Sequence, residues 1–513
     1  MRCGASVRLT SSLATALLID IGMVTKENAS LIIDPIKVQR AREKIMAEER
    51  TEADYKLGET QLECVFFDAS KDKTKMVVED EDGEEFARTL DEEHYTLTDP
   101  HNYLTHLTPE DGTGAQGTAD VILEWLEDVD QLEHVKVLGG DSTNSMTGWD
   151  GGAIHLIEVG KSEKVLWVIC LLHTNELPLR HLMKSQGMET SGKNCFTGEI
   201  GKLIKDDVHL FEVNEKFEII SVGEELHDMP EDILSQLSTD QKYLYQIVRM
   251  IRTGNLDHSV LKQIIGCLNH SRWLTTGSRA SRVWVSILPF SRSSKTYKSL
   301  KVIVTYIVSI YAKMWFEIKC SPRLLNGPAH ILKTVQLVST YCTPSVKEVV
   351  MPVIQRGGGW HAHSENILLA MIGSKDEKQR HFAIKKLIEI RKGEKLGDTS
   401  VREFHVPKLN WKASSLFNLI DWSAEKEPIF EPILTCSFTS EDLKLFLDKP
   451  LSVSDIPNHS QSCERAVKET TIAASKVFGF ERRDGLIRSK LKSRKLVPKV
   501  DSKKSLLGML SSQ

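Results

Sequence analysis

Strand-like and helical stretches alternate between Gln61 and His173, and from residue 180 to about 450 the strand signals give way to helices. Such an order admits few architectures: the strands must share a sheet, and the helices must cover it or build a body of their own. LECVFFDAS reads as a strand with Asp68 near its end, TKMVVEDEDG as its hairpin partner with an Asp-Gly turn, and HYTLTD as a third short strand. GTADVILEWLEDV predicts an amphipathic helix around Ala119 to Val129. VKVLGGDSTNSMTG then offers a strand that stops at Gly139 and Gly140 and delivers Asp141, and VLWVICLLH, Val165 to His173, is the last strand. The prediction is an α/β chain with a mixed sheet flanked by helices.

A chain of 513 residues is too long for one ordinary core and calls for several domain-sized units or a large insertion. With 41% hydrophobic and 27% charged residues it can build and cover real cores, so disorder is excluded as its general state. Nine scattered cysteines without a CxxC pair argue against a disulfide framework and a four-cysteine zinc ribbon, and fit a reducing compartment. LATALLIDIGMV is interrupted by Asp20 and lacks a cleavage pattern, so it does not read as a signal peptide. VIVTYIVSIYA, Val302 to Ala312, falls short of the roughly 18 residues that span a bilayer and reads as a buried helix or strand. The net charge of −5 hides an acidic stretch, Glu79 to Glu93, and a basic one, Arg482 to Lys504. By texture the chain divides into a helical segment (1–60), the first part of the sheet-bearing core (61–180), a helical region (181–450), late helices that complete the core (451–495) and a basic tail (496–513). That tail reads as a DNA-contacting or nuclear-import segment, or as a solvated end.

Three acids stand out by position: Asp68 and Asp141 at strand ends, and Glu464 at the start of the helix SCERAVKETTIAASKVF, which predicts Cys463, Val467, Ala474 and Phe478 on one face. The plain reading of Asp141 is a turn or helix-cap residue, since Ser142, Thr143 and Asn144 follow it. If the acids converged, they would suit a pair of hard divalent cations, which take oxygen ligands and can activate a water or a 3′-hydroxyl against a phosphodiester. QRGGGWHAH, Gln355 to His363, lacks the Lys-Ser/Thr of a Walker loop, and Glu365 after it reads first as a helix N-terminal carboxylate and second as a rival to Glu464.

The ordered set of Asp68, Asp141 in GGDSTNSMTG, Cys170 and His173 in CLLHTNELPLRH, and Glu464 followed by Arg465 in SQSCERAVKE resembles the DDE transposases of the hAT type. The helical region from 181 to 450, with Arg272 and Trp273 in CLNHSRWLTTGSR, is similar to the insertion those proteins carry. The resemblance implies an RNase H-like mixed sheet interrupted by a large all-helical insertion. It implies Asp68, Asp141 and Glu464 as catalytic ligands of Mg2+ or Mn2+, and Cys170 with His173 as a motif near the site. It also implies DNA as the partner, a possible homo-oligomer, nuclear or otherwise cytoplasmic placement, and neither membrane nor small-molecule cofactor. Arg272, Trp273, Arg279 and Arg465 would touch DNA. Trp273 reads also as a core tryptophan, and Arg272, Arg279 and Arg282 either as phosphate contacts or as the solvated face of a helix. His173 reads also as a hydrogen-bonded histidine at a strand end, and a zinc site at Cys170 and His173 lacks a second ligand pair. The first 60 residues hold Cys3 and no histidine, so the zinc-bearing N-terminal reader of such transposases is not among them. The expectation is a transposon-derived protein, active or inactive in strand transfer, or a DNA- or protein-binding scaffold that kept the fold without the chemistry.

Overall fold

The computed structural model describes residues 5–79, 83–109, 114–148, 150–163, 165–192, 195–205, 207–266, 268, 272–286, 293–362, 364–392, 407–424 and 456–496. The chain is mixed α/β and divides into two compact units, Met1–Gly140 with Asp150–Val165 and Ser460–Gln513, and Asp141–Trp149 with Leu166–His459.

In the first unit, α1 (Val7–Asp20) and α2 (Pro35–Glu59) precede β1 (Cys64–Glu79), β2 (Glu85–Thr98), β3 (Tyr103–Leu107), α3 (Ala115–Asp128) and β4 (Val137–Gly140). These strands lie in the order β3-β2-β1-β4. β1 and β2 form one long antiparallel hairpin, whose tip includes Gly83 at φ +80°, the left-handed conformation a tight turn asks of glycine. β2 pairs antiparallel with β3, and β1 pairs parallel with β4, Cys64 opposite Val137 and Phe66 opposite Gly139. Two strand assignments change. TKMVVE is the second half of β1, so Asp68 stands inside a strand, and β3 follows HYTLTD, itself the end of β2. The polar stretch after Asp68 looked like a break. It is strand because its inward side chains pair with polar partners: Ser70 Oγ donates to Asp72 Oδ2 (2.6 Å), and Thr74 Oγ1 lies 2.8 Å from His94 Nε2.

Val65, Phe66, Phe67, Leu97, Val137 and Leu138 are fully buried, together with Ala119, Ile122 and Leu126 of α3 and Ile154 and Ile157 of the helix Ala153–Lys161. Gly139 is needed for this packing, because a Cβ there would stand 1.5 Å from Cδ1 of Phe66. Gly139→Ala is expected to cost about 1–3 kcal/mol by overpacking, read as a lower urea midpoint with unchanged slope. A midpoint equal to that of the parent would show that Phe66 moves aside freely.

The late helix (Gln461–Ala474) crosses the hairpin with a face of small residues: Cys463, Ala466, Thr470 and Ala473 are buried. Val467 is half-buried, and Phe478 lies beyond the helix end rather than on the predicted face. The closing helix (Phe480–Leu496) packs along α2, where Gly485 lies against the backbone of Met46.

The second unit is mostly helical, with a two-stranded ribbon, Thr190–Gly192 and Cys195–Phe196, that the sequence did not announce. β5 (Leu166–Ile169) ends before Cys170, so CLLH belongs to the following helix, Leu171–Ser185, and not to the strand. Val302 to Ala312 lies within a continuous helical stretch, Lys295–Cys320, of 26 residues, which is long and apolar enough to cross a membrane. Of its most apolar window 78% is buried within the protein, as expected of a core helix. One π-helical turn, Ile307–Tyr311, interrupts it, and Gly223 at φ +93° sits tightly against Ser309 there.

Candidate functional site

Asp68 and Thr96 are direct partners across β1 and β2, and directly paired residues point to the same face of a sheet. Thr96 Oγ1 donates to Thr470 Oγ1 of the late helix (2.9 Å), and Cys463 Sγ approaches the Thr96 carbonyl at 3.3 Å and that of Phe66 at 3.8 Å. Asp68 therefore lies on the face that the late helix crosses, and Glu464 follows Cys463 in that helix's first turn, half-buried. The positive end of the helix dipole favours a carboxylate at this position. Asp68 is half-buried, and its Oδ1 accepts the Ala69 amide (2.9 Å).

Asp141 stands one residue after Gly140, the last residue of β4. Two positions along the chain from each member of the parallel pair Phe66 and Gly139 come Asp68 and Asp141. Asp141 Oδ1 accepts both the Thr143 amide (3.0 Å) and the Thr143 hydroxyl (2.6 Å), which closes a turn into the short helix Asn144–Thr147. The turn role read from the sequence is thus present. Cys170 is buried at the N-cap of Leu171–Ser185, and His173 lies in the first turn of that helix, half-buried.

Other residues singled out in the sequence hold the second unit together. Trp273 is buried and meets the Phe196 ring edge-on, with centroids 6.1 Å apart. Arg279 donates to the carbonyls of Ile204, Ile265 and Gly266, and buried Arg282 to those of Leu261 and Phe211. These guanidiniums close helix ends and loops in the interior, and Arg282 does not form the solvated helix face that was expected. Arg465 is exposed. The side chains of Arg272 and Glu365, the residue His363, and the tail from residue 497 onward lie outside the described residues. QRGGGWHAH is a helix end: in the helix Pro344–Gly358, a Cβ on Gly357 would meet Thr174 Cγ2 at 3.0 Å, and His361 Nε2 lies 3.3 Å from Thr174 Oγ1. Its glycines serve close helix packing.

A polar cluster in the first unit went unnoticed in the sequence. His94 and His106 are fully buried, with ring centroids 5.9 Å apart. Arg483 of the closing helix donates to His94 Nε2 and to Glu92, each at 3.3 Å. Tyr103 donates its hydroxyl proton to Asp484 Oδ1 (2.9 Å), so its oxygen is left to accept from His106 Nδ1 (2.8 Å). That assigns the Nδ1–H tautomer to His106, whose Nε2 finds no hydrogen-bond partner among the described residues. Burial, reinforced by Arg483, holds both imidazoles neutral below their ordinary range. Histidines at 94 and 106 within Thr-rich strands, with Arg482 and Arg483 far downstream, were the only sequence signal of this cluster.

No family model matches the chain, and no curated protein matches it.

Proposed function

We propose that the protein is a transposase-derived, DNA-binding chain of RNase H-like fold. In this reading Asp68, Asp141 and Glu464 are the acids of a DDE-type set, and Cys170 with His173 is the motif that accompanies it. The observation that carries it is the arrangement of the first unit: β1 and β4 run parallel in register, and a late helix with Glu464 in its first turn crosses the face that bears Asp68. The donor set is all carboxylate, which suits Mg2+ or Mn2+ and does not suit a soft metal. Bound there, such cations would activate a water or a 3′-hydroxyl and stabilise the leaving oxygen of a phosphodiester. The carboxylates' own part is to hold the cations, and the Thr143 bonds fix the orientation of Asp141. With DNA as its partner the protein would act in the nucleus, the cytoplasm being the alternative.

The test is nicking of supercoiled DNA by the purified full chain in Mg2+ or Mn2+, together with Mn2+ binding followed by electron paramagnetic resonance. Asp141→Ala is expected to abolish nicking and weaken Mn2+ binding. Nicking of equal strength in the variant would assign the activity to a contaminant. DNA binding that falls steeply with salt, without nicking or Mn2+ binding, would favour a scaffold that kept the fold and lost the chemistry.

A further inference from the structure

The second unit holds a cleft of about 410 Å³ among the helices Glu231–Gln236, Thr239–Thr253 and His258–Leu261. That volume lies in the range of small-molecule sites. Lys242, Tyr245, Gln246, Arg249 and Met250 recur three and four residues apart on the long helix, so one face of it lines the cleft. Tyr245 and Met250 are buried, as is Val260 of the last helix, and half-buried Leu234 of the first adds to the apolar floor they make.

Four charged side chains line the same cleft, two of each sign: Lys242 and Arg249, Glu231 and Asp257. No two of them form an ion pair with each other among the described residues. Arg249 is held in place, because its Nη1 donates to Asp228 Oδ1 (2.7 Å) and to the Tyr245 hydroxyl (2.9 Å), and its guanidinium lies 5.3 Å from the centroid of the Tyr245 ring. Its other edge, Nε with Nη2, has unspent donors among the described residues, and that edge can take a carboxylate in two parallel bonds. Half-buried Lys242 has no partner for its Nζ there either. On the acidic side Asp257 is also held: its amide donates to Met250 Sδ (3.3 Å), and its Oδ1 accepts the Ser259 amide (2.8 Å) and hydroxyl (2.6 Å), which leaves Oδ2 unspent. Glu231 is exposed, with no ion pair among the described residues. A purely anionic ligand would meet the two acids, and a purely cationic one the two bases. Unspent donors and unspent acceptors around one apolar floor suit a ligand that carries both charges and an apolar body. We propose that this cleft binds a free α-amino acid with a large apolar side chain. Its carboxylate would sit on Arg249 and Lys242, its ammonium toward Glu231 and Asp257, and its side chain on Tyr245, Met250 and Val260.

The test is a ligand-observed nuclear magnetic resonance titration of the full chain with three compounds: L-phenylalanine, 3-phenylpropionate, which lacks the ammonium, and phenethylamine, which lacks the carboxylate. L-Phenylalanine is expected to bind with a Kd of about 0.1–1 mM, and each of the others about tenfold more weakly. Lys242→Met keeps the stem and removes a charge that makes no bond in the fold, so the unfolding midpoint should stay where it is. It should weaken L-phenylalanine and 3-phenylpropionate severalfold and leave phenethylamine unchanged. Glu231→Gln should weaken L-phenylalanine and phenethylamine and leave 3-phenylpropionate unchanged. Ser235→Trp, at an exposed position that lines the cleft, should fill it and abolish binding of all three. No binding of L-phenylalanine at about 10 mM, equal binding of the three compounds, or binding that Ser235→Trp leaves intact would each overturn the proposal.

Discussion

Lowering the pH from 7 to 5 should destabilise the first unit, because unfolding frees two histidines that the fold holds neutral. The sign follows from the direction of the shifts. His94 and His106 have folded pKa values below the ordinary value, so near pH 6.5 the unfolded chain takes up protons that the folded chain refuses. Their contribution is fully present above that range and is lost as the pH falls below it, by up to about 1.4 kcal/mol per unit for each histidine. Burial sets the direction, and the charged groups around the rings modify it. Arg483 faces both rings, and Arg488 from the same closing helix adds to the repulsion at His106. Glu92 and Asp72 oppose it at His94 without overcoming burial. A proton on His106 Nε2 would also be a buried donor with no acceptor among the described residues. His330, buried in the second unit, is displaced the same way, so the assignment rests on a local probe: amide exchange of β2 and β3 in urea as a function of pH. His106→Phe, which keeps an aromatic ring against Phe480, should reduce the acid slope there. An unchanged slope in that variant would locate the titration elsewhere.

What the sequence conveyed and what it hid separate along one physical line. Apolar periodicity is local, so α3, the helix of Glu464 and the strand that leads to Asp141 were legible from their own residues. Polar pairing across the fold is not local. Lys71 to Lys73 read as a break between two strands, because nothing nearby shows that Thr74 will meet His94 or that Asp72 will be buried. Arg279 and Arg282 read as surface cations because their partners are backbone carbonyls, which carry no mark in the sequence. Gly139 reads from the sequence as a point of close approach, but nothing near it in the chain names its partner, Phe66, which lies on another strand. At the candidate site the types of residue were readable. What the structure adds is that Asp68 shares its face of the sheet with the late helix, which only strand register and one threonine pair could show. Helix α1 is the opposite case: the apolar run Leu13 to Met23 is plain in the sequence, yet which side of it faces water is not.

The largest single-residue effect outside the candidate site is expected at Asp484, where three elements of the first unit are joined by one buried carboxylate. Its Oδ1 accepts the Tyr103 hydroxyl of β3, its Oδ2 accepts Arg488 Nε at 2.6 Å, and Arg50 of α2 approaches that same oxygen at 3.8 Å. Asp484→Ala leaves a buried phenol and a largely buried guanidinium without their carboxylate, and breaking a buried pair from one side costs about 3–5 kcal/mol. Asp484→Asn keeps the shape and one acceptor oxygen, so its loss should be smaller. The stranded cation is the larger part of the cost, so adding Arg488→Met to Asp484→Ala should recover stability rather than lose more. A surface ion pair would behave otherwise: both single changes would stay within about 1 kcal/mol of the parent and would simply add. Recovery in the double variant would therefore establish that the closing helix is held to β3 and α2 through Asp484. Additive small losses would mean that the helix is held by its apolar contacts alone, with Ile487 its fully buried anchor.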